Sequence, residues 1–166
     1  VSIGAPDLLR PTGMKRSAAA GTCLVLTIVL LASCATHPMP AWDVGSPDWR
    51  VREAAAVWRP DSKSPELSGE LSLATRADGS RMVQFLKQGV PVVIARAGSR
   101  GWEIGSPFRE NSRGGRGRPP SGVLWFLLDD LPPSRPVPAD WSLTLEEGGR
   151  WILENQKRGE RLEVVP

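Results

Sequence analysis

The sequence predicts an α+β fold built on an antiparallel sheet with one strongly apolar face. Three observations carry this expectation. Short stretches in which apolar and polar residues alternate recur between residues 71 and 104 and again between 141 and 164. Gly-containing turn signals separate them. Two other stretches, 47–59 and 121–131, carry helix signals. The 166 residues suffice for one domain, and 40% apolar with 23% charged residues is a globular rather than a disordered balance.

Residues 35–45 contain Pro38 and Pro40 and no regular pattern, as a tether would. Ser46 then reads as an N-cap, with Pro47 at the first helical position and Asp48 against the helix dipole. Val51, Ala54, Ala55 and Trp58 follow at i, i+3, i+4 and i+7, and Pro60 ends the stretch. Leu71 and Leu73 alternate with Glu70 and Ser72. Ala77-Asp78-Gly79-Ser80 supplies a turn, and Val83 and Phe85 alternate around Gln84. Gly89 reverses the chain into Val92-Val93-Ile94-Ala95, and residues 98–101 turn it again toward Trp102 and Ile104. Residues 110–120, with Arg113, Arg116 and Arg118 among five glycine and proline neighbours, read as a mobile basic loop. Ser121 caps a second helix through Leu131, with a nearly continuous apolar run over 123–128; a buried strand is the rival reading. Three strands close the chain, around Trp141-Leu143-Leu145, Trp151-Leu153 and Leu162-Val164, with turns at Glu147-Gly148-Gly149 and Lys157-Arg158-Gly159.

The first 34 residues read as an address. Met14-Lys15-Arg16 opens a basic stretch, and the uncharged run Ala18–Leu31 follows. As a helix it would be about 21 Å long, short of a bilayer's hydrocarbon core. This is the pattern of a secretory signal rather than a membrane span or a buried core helix. Leu31-Ala32-Ser33-Cys34 resembles the lipobox of bacterial lipoproteins. That resemblance implies cleavage before Cys34, a diacylglycerol on its sulfur and an acyl chain on its new amino group. It makes 1–13 an over-extended start, 14–33 the signal peptide, 34–45 a lipidated tether and 46–166 a single domain. Ala35, rather than aspartate, after the cysteine implies the outer membrane, facing the periplasm. Several acyl chains hold a protein on a membrane essentially permanently. Arg10, Lys15, Arg16 and Asp7 all precede Cys34, so the net charge falls from +3 to +1 and Cys23 is lost. The mature chain keeps no free thiol for a disulfide or a nucleophile.

The segment 68–96 is similar to the early strands of the LolB lipoprotein receptors. A Gly-containing strand, Gly69 to Leu73, runs into Thr75-Arg76-Ala77-Asp78-Gly79, then into Val83–Leu86 and Val92–Ala95. Leu124-Trp125-Phe126-Leu127 with Leu131-Pro132 resembles that family's helix and its Leu-Pro step. LolB and its relative LolA imply an incomplete β-barrel or strongly curved antiparallel sheet with two helices on its concave side. They also imply an apolar groove that holds the acyl chains of lipoproteins in transit. Leu71, Leu73, Phe85, Val93, Trp102, Trp125 and Leu128 are the residues placed to line it.

Few residues offer chemistry. His37 is the only histidine and lies in the tether, without the rigid partners that a metal ligand or general base needs. Asp129-Asp130 are adjacent and would diverge on a helix, and Glu146-Glu147 precede a Gly-Gly turn. No phosphate loop and no nucleophile elbow occur. Arg113, Arg116 and Arg118 lack the interleaved aromatics of single-strand binders and suit lipid headgroups or an acidic partner better than nucleic acid. The seven tryptophans all follow Cys34 and there is no tyrosine. They suit either core packing or a hydrophobic groove.

The sequence therefore predicts a non-enzymatic, monomeric envelope lipoprotein. Its cofactors are none beyond the covalent lipid on Cys34, and it has no metal site. It binds a lipid or acyl chain and helps deliver lipid or lipoprotein to the outer membrane, partnered by membrane lipid and other lipoproteins. The alternative is a structural adaptor that binds another envelope protein. A carboxylate-only hydrolase is the third reading, and it lacks a convincing pair. Replacing Cys34 by alanine is expected to abolish labelling of the protein by radioactive palmitate fed to the producing bacterium and to release it from the membrane fraction.

Overall fold

A computed structural model describes residues 42–165, with the backbone alone at 109–111. The readings on the start, the signal peptide, Cys34 and His37 fall outside the described residues.

Alternation dominates the chain more completely than its sequence suggests. Among the described residues nine strands form: β1 (Trp49–Arg59), β2 (Leu67–Arg76), β3 (Arg81–Lys87), β4 (Val90–Gly98), β5 (Gly101–Ser106), β6 (Arg109–Gly115), β7 (Trp141–Leu145), β8 (Trp151–Asn155) and β9 (Arg161–Val165). They make one open antiparallel sheet in the order β6-β5-β4-β3-β2-β1-β9-β8-β7. Two meanders, β1–β6 and β7–β9, are thus joined where the first strand pairs with the last, with Ala56 opposite Val164 and Trp58 opposite Leu162. One helix, α1 (Leu124–Leu127), lies in the crossover between the meanders.

The fold is therefore all-β among the described residues, and the expected α+β arrangement with two helices is not formed. The stretch 47–59 is strand. Its alanines fit either period: Ala54, Ala56 and Trp58 form an inward row as readily as Val51, Ala54, Ala55 and Trp58 form a helical stripe. Pairing decides, because β1 hydrogen-bonds to β2 on one side and β9 on the other. The supposed N-cap is a turn, in which Trp49 N–H donates to the Ser46 carbonyl at 3.1 Å and Pro47 occupies a turn position it favours.

The second expected helix, 121–131, shrinks to one turn. Leu128 is already extended. Asp129 takes up hydrogen bonds from Ser134 N–H at 2.9 Å and Ser134 Oγ at 2.8 Å, and Asp130 accepts from Leu131 N–H at 2.8 Å. These side chains compete with helical continuation. The basic loop is also corrected. Arg113, Gly114 and Gly115 belong to β6, opposite Ile104, Glu103 and Trp102. Gly115 is strand because Trp102 lies flat against it: a Cβ there would stand 3.0 Å from the indole Nε1.

The hairpins follow turn chemistry. Gln88 and Gly89 both have positive φ in the two-residue β3–β4 link, as a type I′ turn requires. Asn155, buried at the end of β8, accepts from Lys157 N–H at 3.1 Å and Arg158 N–H at 2.9 Å and so shapes the last turn.

The inner face carries one core. Leu71, Leu73, Val83, Phe85, Ala95, Leu153, Leu162 and Val164 come from strands of both meanders and pack with Leu124, Trp125, Phe126 and Leu128. A single cluster fed from β1–β5 and β7–β9 requires the sheet to curl around the crossover. Gly69 sits on this face beside the β3 irregularity at Phe85/Leu86. A Cβ there would meet Phe85 Cζ at 3.0 Å and collide with the Leu86 carbonyl. Gly69→Ala is expected to lower stability by about 1–3 kcal/mol, read as a lower urea midpoint in tryptophan fluorescence.

Candidate functional site

The seven residues expected to line a groove do converge. Leu71 and Leu73 (β2), Phe85 (β3), Val93 (β4) and Trp102 (β5) face the same side as Trp125 and Leu128 of the crossover. They meet as packed core. Leu71, Phe85 and Leu128 have no exposed surface, and Trp125 keeps 3%. Trp125 wedges between Trp58, 5.0 Å away and edge-on, and Phe85 at 6.0 Å. Phe126 stacks edge-on against Trp102 at 5.5 Å. The inner face is filled by the chain's own crossover, so the space that remains open lies elsewhere.

That space is a cleft of about 340 Å³ beside the crossover, where β3 begins. Its size falls within the range of about 300–1,000 Å³ typical of small-molecule sites. Phe126, Leu127 and Val137 give it an apolar wall, and Arg81, Arg118 and Arg135 give it a cationic one. Pro119, Pro120, Pro136 and Pro138 complete it.

Each arginine is positioned differently. Arg81 opens β3 in the inward register of Val83 and Phe85, and its Nη2 donates to the Phe126 carbonyl at 2.8 Å. Burial, and then the charge of Arg135, lower its hold on its proton from the ordinary guanidinium value. Arg135 Nε lies 3.0 Å from Asp129 Oδ2. Arg118 is exposed, and no ion pair to it occurs among the described residues. Of the three arginines expected to act together, only Arg118 lines the cleft. Arg113 sits on the edge strand opposite Ile104, and Arg116 is exposed beyond it. Arg81 and Arg135 escaped the sequence reading. The signal for Arg81 was present: alternation back from Phe85 and Val83 places it inward.

The paired-carboxylate reading finds no shared site. Asp129 faces Ser134 and Arg135, whereas Asp130 pairs with Arg52 of β1. A smaller recess of about 170 Å³ lies on the outer face, around Arg96 and Glu103 on β4 and β5. Among the described residues, no three His, Cys, Asp or Glu side chains group together as a metal site would require, and no helix is long and apolar enough to cross a membrane.

No family model, no curated protein and no solved structure matches the chain.

Asp129 fixes the shape of the cleft's floor. Burial pushes its carboxyl up, but the bonds from Ser134 and the charge of Arg135 outweigh that and hold it below the ordinary 3.8. A carboxyl lowered on folding contributes stability above its unfolded pKa and loses it as pH falls through the folded value. Asp129→Asn is expected to cost about 1–2 kcal/mol at pH 7. The difference from the parent protein should shrink as pH falls from neutral through and below the ordinary 3.8, measured by urea unfolding across that range.

Proposed function

We propose that this chain is a membrane-anchored lipoprotein of the bacterial envelope, lipidated at Cys34 and facing the periplasm from the outer membrane. Its sheet domain binds a lipid or acyl chain non-covalently and helps deliver lipid or lipoprotein to that membrane. The observation that carries the reading is the cleft beside the crossover. It joins an apolar wall of Phe126, Leu127 and Val137 to three guanidiniums at one site. An acyl chain gains free energy by leaving water for such a wall, while its polar end stays with the arginines. Transfer of this kind needs no bond to form or break, so the protein is proposed as a carrier and not as an enzyme. The lipobox and the similarity of 68–96 to LolB support the same reading.

Purified from bacterial membranes, the full-length protein is expected to carry lipid detectable by mass spectrometry and to take up a fluorescent fatty acid. Val137→Asp, which places a carboxylate against the chain, should weaken that uptake at least about tenfold. Absence of both lipid and uptake overturns the proposal.

The adaptor reading has its own support in the filled inner face, where Leu71, Phe85 and Leu128 leave no room for a ligand. Under that reading the protein takes up no lipid, and an envelope partner captured by cross-linking is lost on Arg116→Glu.

A further inference from the structure

The lipid-binding reading leaves the polar end of the ligand unspecified, and the walls of the cleft narrow it. Besides the arginines, the charged group in the cleft is Asp129. Its oxygens are already engaged, by Ser134 N–H, Ser134 Oγ and Arg135 Nε at 2.8–3.0 Å. Three guanidiniums against one carboxylate leave the site with a formal charge of +2. Four prolines line it, and proline has no backbone N–H. The backbone at those four positions offers an anion no donors, and the guanidiniums are the charged donors of the site. Arg81 commits one nitrogen to the Phe126 carbonyl, and its other donors are not used by that bond. Arg118 forms no ion pair with any described residue. Guanidiniums present paired N–H donors at the spacing of phosphoryl oxygens, and several on one wall favour a group carrying more than one negative oxygen. Phe126, Leu127 and Val137 adjoin them and suit the apolar remainder of the same molecule.

Resting on the reading of this cleft as a lipid site, we propose that Arg81, Arg118 and Arg135 recognise a terminal phosphate, one that carries at least two negatively charged oxygens. The chemistry is shared by a phosphatidic-acid headgroup and by free phosphate.

The test uses the full-length lipidated protein in dodecyl maltoside and isothermal titration calorimetry with three probes. These are dihexanoylphosphatidic acid, dihexanoylglycerol (the same chains without phosphate) and inorganic phosphate. Phosphatidic acid is expected to bind at least tenfold more tightly than dihexanoylglycerol. Arg118→Glu, at an exposed position outside the core, should remove that tenfold advantage, and Arg135→Gln should reduce it. Unchanged circular dichroism of both variants ties the losses to the site rather than to the fold. Phosphatidic acid binding tighter than inorganic phosphate identifies the lipid as the source; equal binding identifies free phosphate, and either supports the proposal. If dihexanoylglycerol binds as well as phosphatidic acid, or if Arg118→Glu changes nothing, the headgroup proposal is overturned while the lipid reading stands. If inorganic phosphate alone binds and Arg118→Glu abolishes it, the lipid reading falls and the phosphate site remains. Binding of none of the three overturns both.

Discussion

An open sheet with one apolar face must cover that face, and this protein does so with a single short stretch of its own chain. Leu124, Trp125, Phe126 and Leu128 of the crossover supply the cover. Full burial of each such side chain contributes about 1.5–3 kcal/mol. Trp125 has a second role, because it touches Trp58 of β1 and Phe85 of β3 and so reaches both sides of the β2 ridge. Three arginines, two on strands and one in the β8–β9 turn, then fasten the crossover from its polar side. Arg52 pairs with Asp130, Arg81 donates to the Phe126 carbonyl and Arg158 donates to the Gly122 carbonyl. The two meanders share one core only because this segment lies between them.

The same cover decides where a ligand can go. A crossover that filled the whole inner face would leave no opening. Here it is only one helical turn long, with proline-rich arms before and after it, and those arms cannot pack as closely as a continuous helix. The cleft lies where the arms leave the sheet. Its cationic wall follows in part from the fastening role of Arg81, since the guanidinium that holds the crossover also lines the cleft. Structural and binding roles are in this way carried by one side chain. The outer recess at Arg96 and Glu103 is smaller and lies on the opposite face of the sheet from the crossover.

Strands of clean alternation were legible. Leu71-Leu73, Val83-Phe85, Trp141-Leu145, Trp151-Leu153 and Leu162-Val164 each announce their inward face, and Gly79, Gly89 and Gly159 announce the reversals. Where the residues are ambiguous, the reading went to the wrong period. Alanines at 54, 55 and 56 satisfy either pattern, and Ser46-Pro47-Asp48 is as good a turn as a helix cap. Gly115 looks like loop in one dimension because the indole of Trp102 packed against it is supplied by the neighbouring strand. The residues expected to line a groove lie in one cluster, but their local pattern says nothing of what lies on top of them.

By itself, then, the sequence determined the alternating strands, the turns between them and the set of residues turned toward the interior. These are properties of neighbours along the chain, set by side-chain period and backbone conformation. The tertiary structure alone decided that β1 is a strand, that the crossover fills the inner face, and that Arg81, Arg118 and Arg135 share a cleft. The physical reason is separation. Ala56 meets Val164, and Arg81 meets Phe126, across stretches of chain whose local preferences carry no record of the partner. A strand's need for hydrogen-bonded neighbours on both sides then overrides the weak helical preference of its alanines.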